Sequence, residues 1–526
     1  RLWVHFQPEG VAGTSARIKG VTAMAKVIAI FVLCCASWVA GHPGRHYREF
    51  QKQEDSADVG DPLILTPFIE RGDLQAARTA CAVHIDGMES SCSGFTTVDS
   101  FAGSNLFFWL LPPKKPSTEG NPLVLWLQGG PGASGMFGMF AEVGPYAVDS
   151  SSSRLLEREL HWNRDAALLF VDSPVGTGFA FTDGYEGFAR DETQIAEGLL
   201  SMLQQVLILF PEYQASELFI FGESYGGGKY APALGRSISS FNKAQVRPAF
   251  GGSMGPARIN LKGLGLGDPG VADPVVQFPV YADELYNMGL VDLNQREELR
   301  SLFDQAVRHV NAGEYAKAFA LWDSVWGDIG DEKFPSLYTN YTFSTFTESL
   351  AYSAPPEEFG YYADWINSAE VRRAIHVGSL PYGGNSSKVY NTLAYEAGEF
   401  CGETLTLAVS DLLKEYRVLV YAGAFDPLLG PALAEAWLTK ILAMVGREAA
   451  DRFAKATKHA WRVSPSDVEV AGYAREVDNL TYLVVRKAGH IVPFDQPRSA
   501  LDMLQRMLLG RSFIESAHNQ ALPVLV

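Results

Sequence analysis

Ser224 is the side chain best placed to act as a nucleophile. It stands in Gly222-Glu223-Ser224-Tyr225-Gly226, directly after the apolar run Leu218 to Phe221 and shortly before Tyr230 to Ile238, which has helical character. A strand, a sharp Gly-x-Ser-x-Gly turn and a helix together push a serine hydroxyl outward from a strained backbone. The flanking glycines relieve the crowding there. The same pattern recurs at Gly251-Gly252-Ser253-Met254-Gly255. No apolar strand precedes that copy and Pro256 follows it, so Ser253 reads as a loop residue.

A serine hydroxyl needs a base, and the base needs an acid to hold its tautomer. On a strand-turn-helix scaffold these partners follow in the order serine, acid, histidine, each just past a strand. Five histidines follow Ser224: His309, His376, His459, His490 and His518. His309 falls in a helical region and reads as a surface residue. His376 ends a helix, where a cation suits the dipole. His459 lies in a charged run and His518 in the tail. His490 follows Tyr-Leu-Val-Val-Arg-Lys-Ala-Gly, a strand and a glycine turn, as a general base should. The acid candidate is Asp426, after Val418 to Tyr421 and a short turn. Locally it reads equally well as the N-cap of a helix over Ala432 to Leu442; its order in the chain and the presence of His490 favour the catalytic role.

The elements that must hold these residues alternate. Phe95 to Ser100 and Ser104 to Leu111 have strand composition, and Leu123 to Leu127 and Ala167 to Val171 are continuous apolar runs expected to be buried strands. A helix is expected over 190–210 with Pro211 as its stop, and a further strand over Leu261 to Leu266. This pattern predicts an α/β-hydrolase fold: a central, mostly parallel sheet flanked by helices. From about 270 to 400 helical patterns dominate (Tyr281 to Phe303, Tyr315 to Trp326, Tyr361 to Ile375), as in an inserted cap. Strands return at Val418 to Tyr421 and Tyr482 to Val485, and a last helix is expected over Pro497 to Leu509. The expected division is core over 42–268, cap over 269–404 and core again over 405–526, with a loose polar segment over 42–60. The turn Gln128-Gly129-Gly130-Pro131-Gly132 after the Leu123 strand is either a tight strand exit or a set of backbone N–H groups facing an oxyanion. It lacks the Lys-Ser/Thr pair of a phosphate loop.

Met24, Lys26, the apolar run Val27 to Val39 and Ala40-Gly41 have the layout of a signal peptide over 24–41, too short to span a bilayer. Residues 1–23 then read as a leader foreign to the mature protein. Cys34 and Cys35 would leave with the signal, and Cys81, Cys92 and Cys401 would remain. One intrachain disulfide is available, either Cys81 to Cys92 or a distant pairing with Cys401. Sequons at Asn340, Asn385 and Asn479 fit a secreted or lysosomal route. A net charge of -17 with no basic stripe argues against a nucleic-acid partner. No membrane anchor is expected, and a homodimer is an admissible assembly.

Gly-Glu-Ser-Tyr-Gly-Gly-Gly-Lys-Tyr-Ala-Pro-Ala, Trp-Leu-Gln-Gly-Gly-Pro-Gly, Val-Asp-Ser-Pro-Val-Gly-Thr-Gly-Phe, Tyr-Ala-Gly-Ala-Phe-Asp and Ala-Gly-His-Ile-Val-Pro-Phe-Asp-Gln-Pro together resemble the serine carboxypeptidases, from about residue 60 to the end. Gln128, the Met-Phe-Gly after it, and Asp-Pro-Leu-Ile-Leu-Thr-Pro-Phe-Ile-Glu-Arg-Gly look most like the vitellogenic-like branch. The resemblance implies Ser224 as nucleophile, His490 as general base and then acid, and Asp426 as orienting carboxylate. It implies an oxyanion hole from the N–H groups of Gly130 and Tyr225. It further implies that the substrate's terminal carboxylate is held by Trp126, Gln128, Gly129, Glu142 and Glu223. No metal or cofactor is implied; the partners are peptide or protein C-termini. Glu223 can bond a carboxylate only if it carries a proton, and with Glu142 beside it the apparent pKa values should rise, favouring acid pH.

Three departures from the family pattern stand out. An extra glycine lies between Ser224 and Lys229, the Asp268 to Pro274 loop is one residue longer, and Ala133 replaces a cysteine that in many members bridges to the cap. The expected function is release of single C-terminal residues through an acyl-enzyme. The alternatives are an inactive secreted or yolk-associated binding protein, and an acyltransferase or esterase on the same scaffold.

Overall fold

Strand residues alternate between two apolar clusters, one on each face of a single sheet. In β4 (Leu123–Leu127) the side chains of Leu123, Leu125 and Leu127 join one cluster, and those of Val124 and Trp126 join the other. Successive strand side chains point to opposite faces, so a run that is apolar throughout must be covered on both. The computed structural model describes residues 59–117, 120–244, 258–327 and 335–514. The expected leader, the signal peptide, the Ser253 loop and nearly all of the polar segment 42–60 lie outside the described residues.

The remaining strands are β1 (Ala82–Val83), β2 (Ser91–Asp99), β3 (Ser104–Leu111), β5 (Tyr146–Val148), β6 (Leu155–Glu157), β7 (Ala167–Val171), β8 (Leu218–Glu223), β9 (Leu261–Gly267), β10 (Arg417–Gly423), β11 (His459–Trp461), β12 (Gly472–Val477) and β13 (Leu480–Val485). Eleven of them form the sheet, in the order β1-β2-β3-β7-β4-β8-β9-β10-β13-β12-β11, and β5 and β6 make a separate hairpin. The middle, from β7 to β13, is parallel, and both flanks are antiparallel. The fold is thus an α/β-hydrolase-like one with a mixed sheet, parallel where the candidate catalytic strands lie. Of the flanking strands, β11 is only three residues long and Arg475-Glu476 interrupts the apolar residues of β12, so composition did not reveal them.

Helices cover both faces. Glu192–Leu209, Ala231–Ala244 and Pro431–Val445 pack on one side and Pro497–Leu509 on the other. The inserted cap is helical, but two of its expected helices are each broken in two. Tyr281–Asn287 stops before Gly289, which has φ +76°, and Leu293–Asn311 restarts with a capping box from Asp292 and Gln295. Glu358–Asn367 ends at Ser368, whose hydroxyl caps Ala369–Ala374. Cys81 and Cys92 form the disulfide, and Cys401 is a buried thiol. Among the described residues no helix is long and apolar enough to cross a membrane.

Candidate active site

Parallel strands put their C-terminal ends along one edge of the sheet, and the candidate residues collect there. Ser224 follows β8, Asp268 follows β9, Asp426 lies three residues past β10, and His490 five past β13. These four strands are neighbours in the sheet. Ser224 has φ +59°, the left-handed conformation expected of an outward-pointing nucleophile, and is half-exposed between buried neighbours.

The base and the acid meet. His490 Nδ1 lies 2.7 Å from Asp426 Oδ2, and both side chains are buried. Asp426 Oδ1 accepts the N–H groups of Leu428 (2.8 Å) and Leu429 (2.9 Å). It therefore caps the turn before Pro431–Val445 while its other oxygen holds the histidine; the helix N-cap itself is Gly430. A cap segment straps both loops together: His490 N–H donates to Glu348 O and Leu350 N–H to Phe425 O. Burial lowers the His490 pKa, but the Asp426 carboxylate against the ring outweighs it and raises the imidazole above its ordinary value.

The glycine turn after β4 lies against the nucleophile. A Cβ on Gly129 would sit 2.5 Å from Ser224 Cβ and 2.7 Å from Tyr225 N, so only glycine fits. Among the described residues neither the Gly130 N–H nor the Tyr225 N–H donates to a protein acceptor, which leaves both for an oxyanion.

Two of the three departures from the family pattern pack on each other. The run Gly226-Gly227-Gly228 lies in a π-turn over Gly226–Tyr230, after which Ala231–Ala244 runs as an ordinary helix. Ser224 O accepts the N–H groups of Gly227, Gly228 and Gly270, and a Cβ on Gly228 would lie 2.2 Å from Gly270 O. The longer 268–274 loop thus supplies one of the three donors that anchor the nucleophile's own carbonyl. At Ala133, backbone bonds tie the turn to the cap instead of a disulfide: Ser134 N–H to Gly384 O and Ser386 N–H to Gly132 O.

A chain of buried polar groups runs beside Ser224. Trp126 Nε1–H donates to Gln128 Oε1 (2.8 Å), and Gln128 Nε2–H donates to Glu223 Oε1 (2.9 Å). Glu142 closes the row from a π-turn, Gly138–Glu142, that presses on Trp126 through Gly138. It is only 3% exposed, so it is not a solvated surface charge. Both oxygens of Glu142 and Oε2 of Glu223 lack a donor among the described residues. Burial raises Glu142 to about 7 against the opposing pull of Glu223, Gln128, His490 and Arg158. Burial, then the charge of Glu142, drives Glu223 well up. Such a row of buried carboxyl oxygens is suited to bind a carboxylate by way of a shared proton.

Asp268, Arg158 and Glu348 were not singled out from the sequence. Arg158 donates to Phe140 O and faces Glu142. Only Asp268 gave a usable signal, since it ends the strand between those of Ser224 and Asp426. Asp268, Asp426 and His490 are the one group among the described residues with donor atoms close enough to hold a metal, all within 4.8 Å of one another. His490 Nδ1 and both Asp426 oxygens are already engaged within the protein. The other histidines stand apart. His309 pairs with Glu314, His459 sits on edge strand β11, and His376 is pushed towards neutrality by burial rather than held as a helix-end cation. His518 lies outside the described residues. Asn340, Asn385 and Asn479 are exposed.

The sequence profile of the serine carboxypeptidase family matches residues 86–510. The chain is 38% identical over 462 residues to the venom serine carboxypeptidase of Apis mellifera, a match covering 87% of this chain and 92% of the bee protein. It is 35% identical over 496 residues to the probable serine carboxypeptidase CPVL of Homo sapiens, covering 94% and 99%. Among solved structures, the prohormone-processing carboxypeptidase Kex1(Δ)p of Saccharomyces cerevisiae superposes with a TM-score of 0.65 at 20% identity, covering 82% of this chain and 96% of that one. At that identity the likeness is one of fold.

Proposed function

The chain belongs to the serine carboxypeptidase family, and we propose that it removes single residues from peptide C-termini through an acyl-enzyme, best at acid pH. Ser224 Oγ attacks the last peptide carbonyl while His490 takes its proton, held in the correct tautomer by Asp426. The tetrahedral oxygen is received by Gly130 N–H and Tyr225 N–H. His490 returns the proton to the leaving amine, and water then cleaves the ester by the same steps in reverse.

The observation that carries this reading is the Gln128–Glu223–Glu142 row beginning one residue before the nucleophile. An esterase has no use for buried carboxyls there. An exopeptidase does, because a proton held between them makes them donors to the substrate's terminal carboxylate. Gly129 completes the wall of that pocket. Within the family, Gln128 and its flanking motif support a reading of the chain as vitellogenic-like. The Cys81–Cys92 disulfide and the three exposed sequons support a secretory route, ending outside the cell or in the lysosome. The division into core over 42–268 and 405–526 with cap over 269–404 follows the change from strands to helices.

Mass spectrometry of a decapeptide incubated with the mature chain tests the reading. A ladder shortened one residue at a time from the C-terminus, absent with Ser224→Ala, is expected; internal cleavage, or no cleavage, contradicts it.

A further inference from the structure

We propose that Asp268 is a positioning residue that keeps a proton on Oδ2 and donates it to the Asp426 carboxylate, thereby fixing the group that orients His490. The inference rests on the reading of Ser224, His490 and Asp426 as a triad. Asp268 is wholly buried at the end of β9. Its Oδ1 accepts Gly423 N–H at 2.9 Å, while its Oδ2 has no donor among the described residues. A carboxyl oxygen of Asp268, an oxygen of Asp426 and a ring nitrogen of His490 all lie within 4.8 Å of one another. Two ionised carboxylates in contact, both out of water, are strongly disfavoured, whereas one proton between them gives a short charge-assisted bond. Asp426 already receives two backbone N–H groups and the His490 ring, so this proton supplies a fourth donor.

The groups that face Asp268 are Glu223 from the end of β8, Tyr421 from β10, Asp426 beyond it, Tyr482 from β13, and His490. Of these only His490 can carry positive charge. Burial, then the charge of Asp426, raises the Asp268 pKa well above the usual carboxylate range. Neutral Asp268 leaves His490 facing a single triad carboxylate. Loss of its proton would set a second negative charge beside the ring, strengthen the ring's hold on its own proton and disable it as a base. Activation of Ser224 should therefore fall as pH rises through the titration of Asp268.

The test is the rate at which a small neutral phosphonofluoridate modifies Ser224, from about pH 5 to 9. The serine oxygen bonds to phosphorus, fluoride leaves, and His490 takes the proton. The reagent has no carboxylate, so substrate binding through Glu142 and Glu223 does not enter, and their own titration is common to wild type and both variants. Asp268→Leu removes the donor and should slow modification about tenfold or more at every pH. Asp268→Asn keeps a donor that cannot ionise. It suits the left-handed backbone at φ +40°. It should recover most of the lost rate and abolish the alkaline fall seen in wild type. Superimposable wild-type and Asp268→Asn profiles, or an Asp268→Asn enzyme as slow as Asp268→Leu with an unchanged melting temperature, would overturn the proposal. Failure of the reagent to label wild type at Ser224 would instead overturn the triad reading, and this inference with it.

Discussion

Replacing Glu142 by glutamine should uncouple substrate affinity from pH. The row Gln128–Glu223–Glu142 has one amide donor for two carboxyls, and three carboxyl oxygens are without a partner among the described residues. A substrate carboxylate adds a third negative charge, so at least one proton must enter or stay with it. Glu142 sits at about 7, raised chiefly by burial. If the proton on this pair is required, KM for a free-acid peptide is level at low pH. Above about pH 7 it rises roughly tenfold per unit, or about 1.4 kcal/mol of binding. Glu142→Gln supplies an N–H donor at every pH and removes the charge that helps to raise Glu223. Its KM at about pH 5 should lie within about threefold of wild type, and its rise between about pH 6 and 8 should be under about threefold. Initial rates on an N-blocked dipeptide, with kcat and KM fitted separately at each pH, read this directly. A wild-type KM that stays flat to pH 8, or a variant KM that climbs as steeply as wild type, refutes the reasoning.

Other expectations follow from the same geometry. Glu142 and Asp172 are raised to about 7, and Glu192 and Glu284 to about 8, with burial the largest cause in each. Their folded pKa values exceed the unfolded ones, so the stability they confer is fully present below about pH 4 and is lost as pH rises through 7 to 8. The melting temperature should fall between pH 5 and 8; a rise across that window would contradict the assignment. Gly129→Ala places a methyl 2.7 Å from Tyr225 N and should cut kcat about a hundredfold or more with the fold intact, whereas an unchanged kcat would remove this turn from the oxyanion site. Cys81→Ser opens a loop with a sequence separation of 11 and should cost about 3 kcal/mol in denaturant unfolding while leaving kcat/KM unchanged. Equal denaturation midpoints would show the bridge to be dispensable.

Legibility in the sequence followed the strength of the local signal. Strands that are apolar on both faces, such as Ala167–Val171, and the turn at Ser224 could be read because burial and backbone strain each demand particular residue types. The flanking strands β11 and β12 could not, since β11 is only three residues long and Gly472–Val477 mixes Arg475 and Glu476 with apolar residues. The helix breaks at Gly289 and Ser368 are masked in the sequence because apolar periodicity continues across them. His490 and Asp426 could be paired from chain order alone. For Asp426, local reading was evenly split because its two oxygens do two jobs, capping a turn and holding a ring. Glu142 and Asp268 matter through what surrounds them: three-dimensional packing decides whether a carboxyl is solvated or must share a proton. The π-turn after Ser224 could not be read locally, because it packs against Gly270, 42 residues after Gly228 in the sequence.

A site that reads a carboxylate beside a serine nucleophile should tell a free C-terminus from a blocked one. The most direct measurement compares an N-blocked dipeptide with a free C-terminus and its C-terminal amide, following release of the last residue from about pH 4.5 to 7.5 with wild type and Ser224→Ala. The structure predicts turnover of the free acid, strongest at the acid end, little of the amide there, and none by the variant. Equal turnover of acid and amide at low pH, or no turnover of either at any pH, would contradict it.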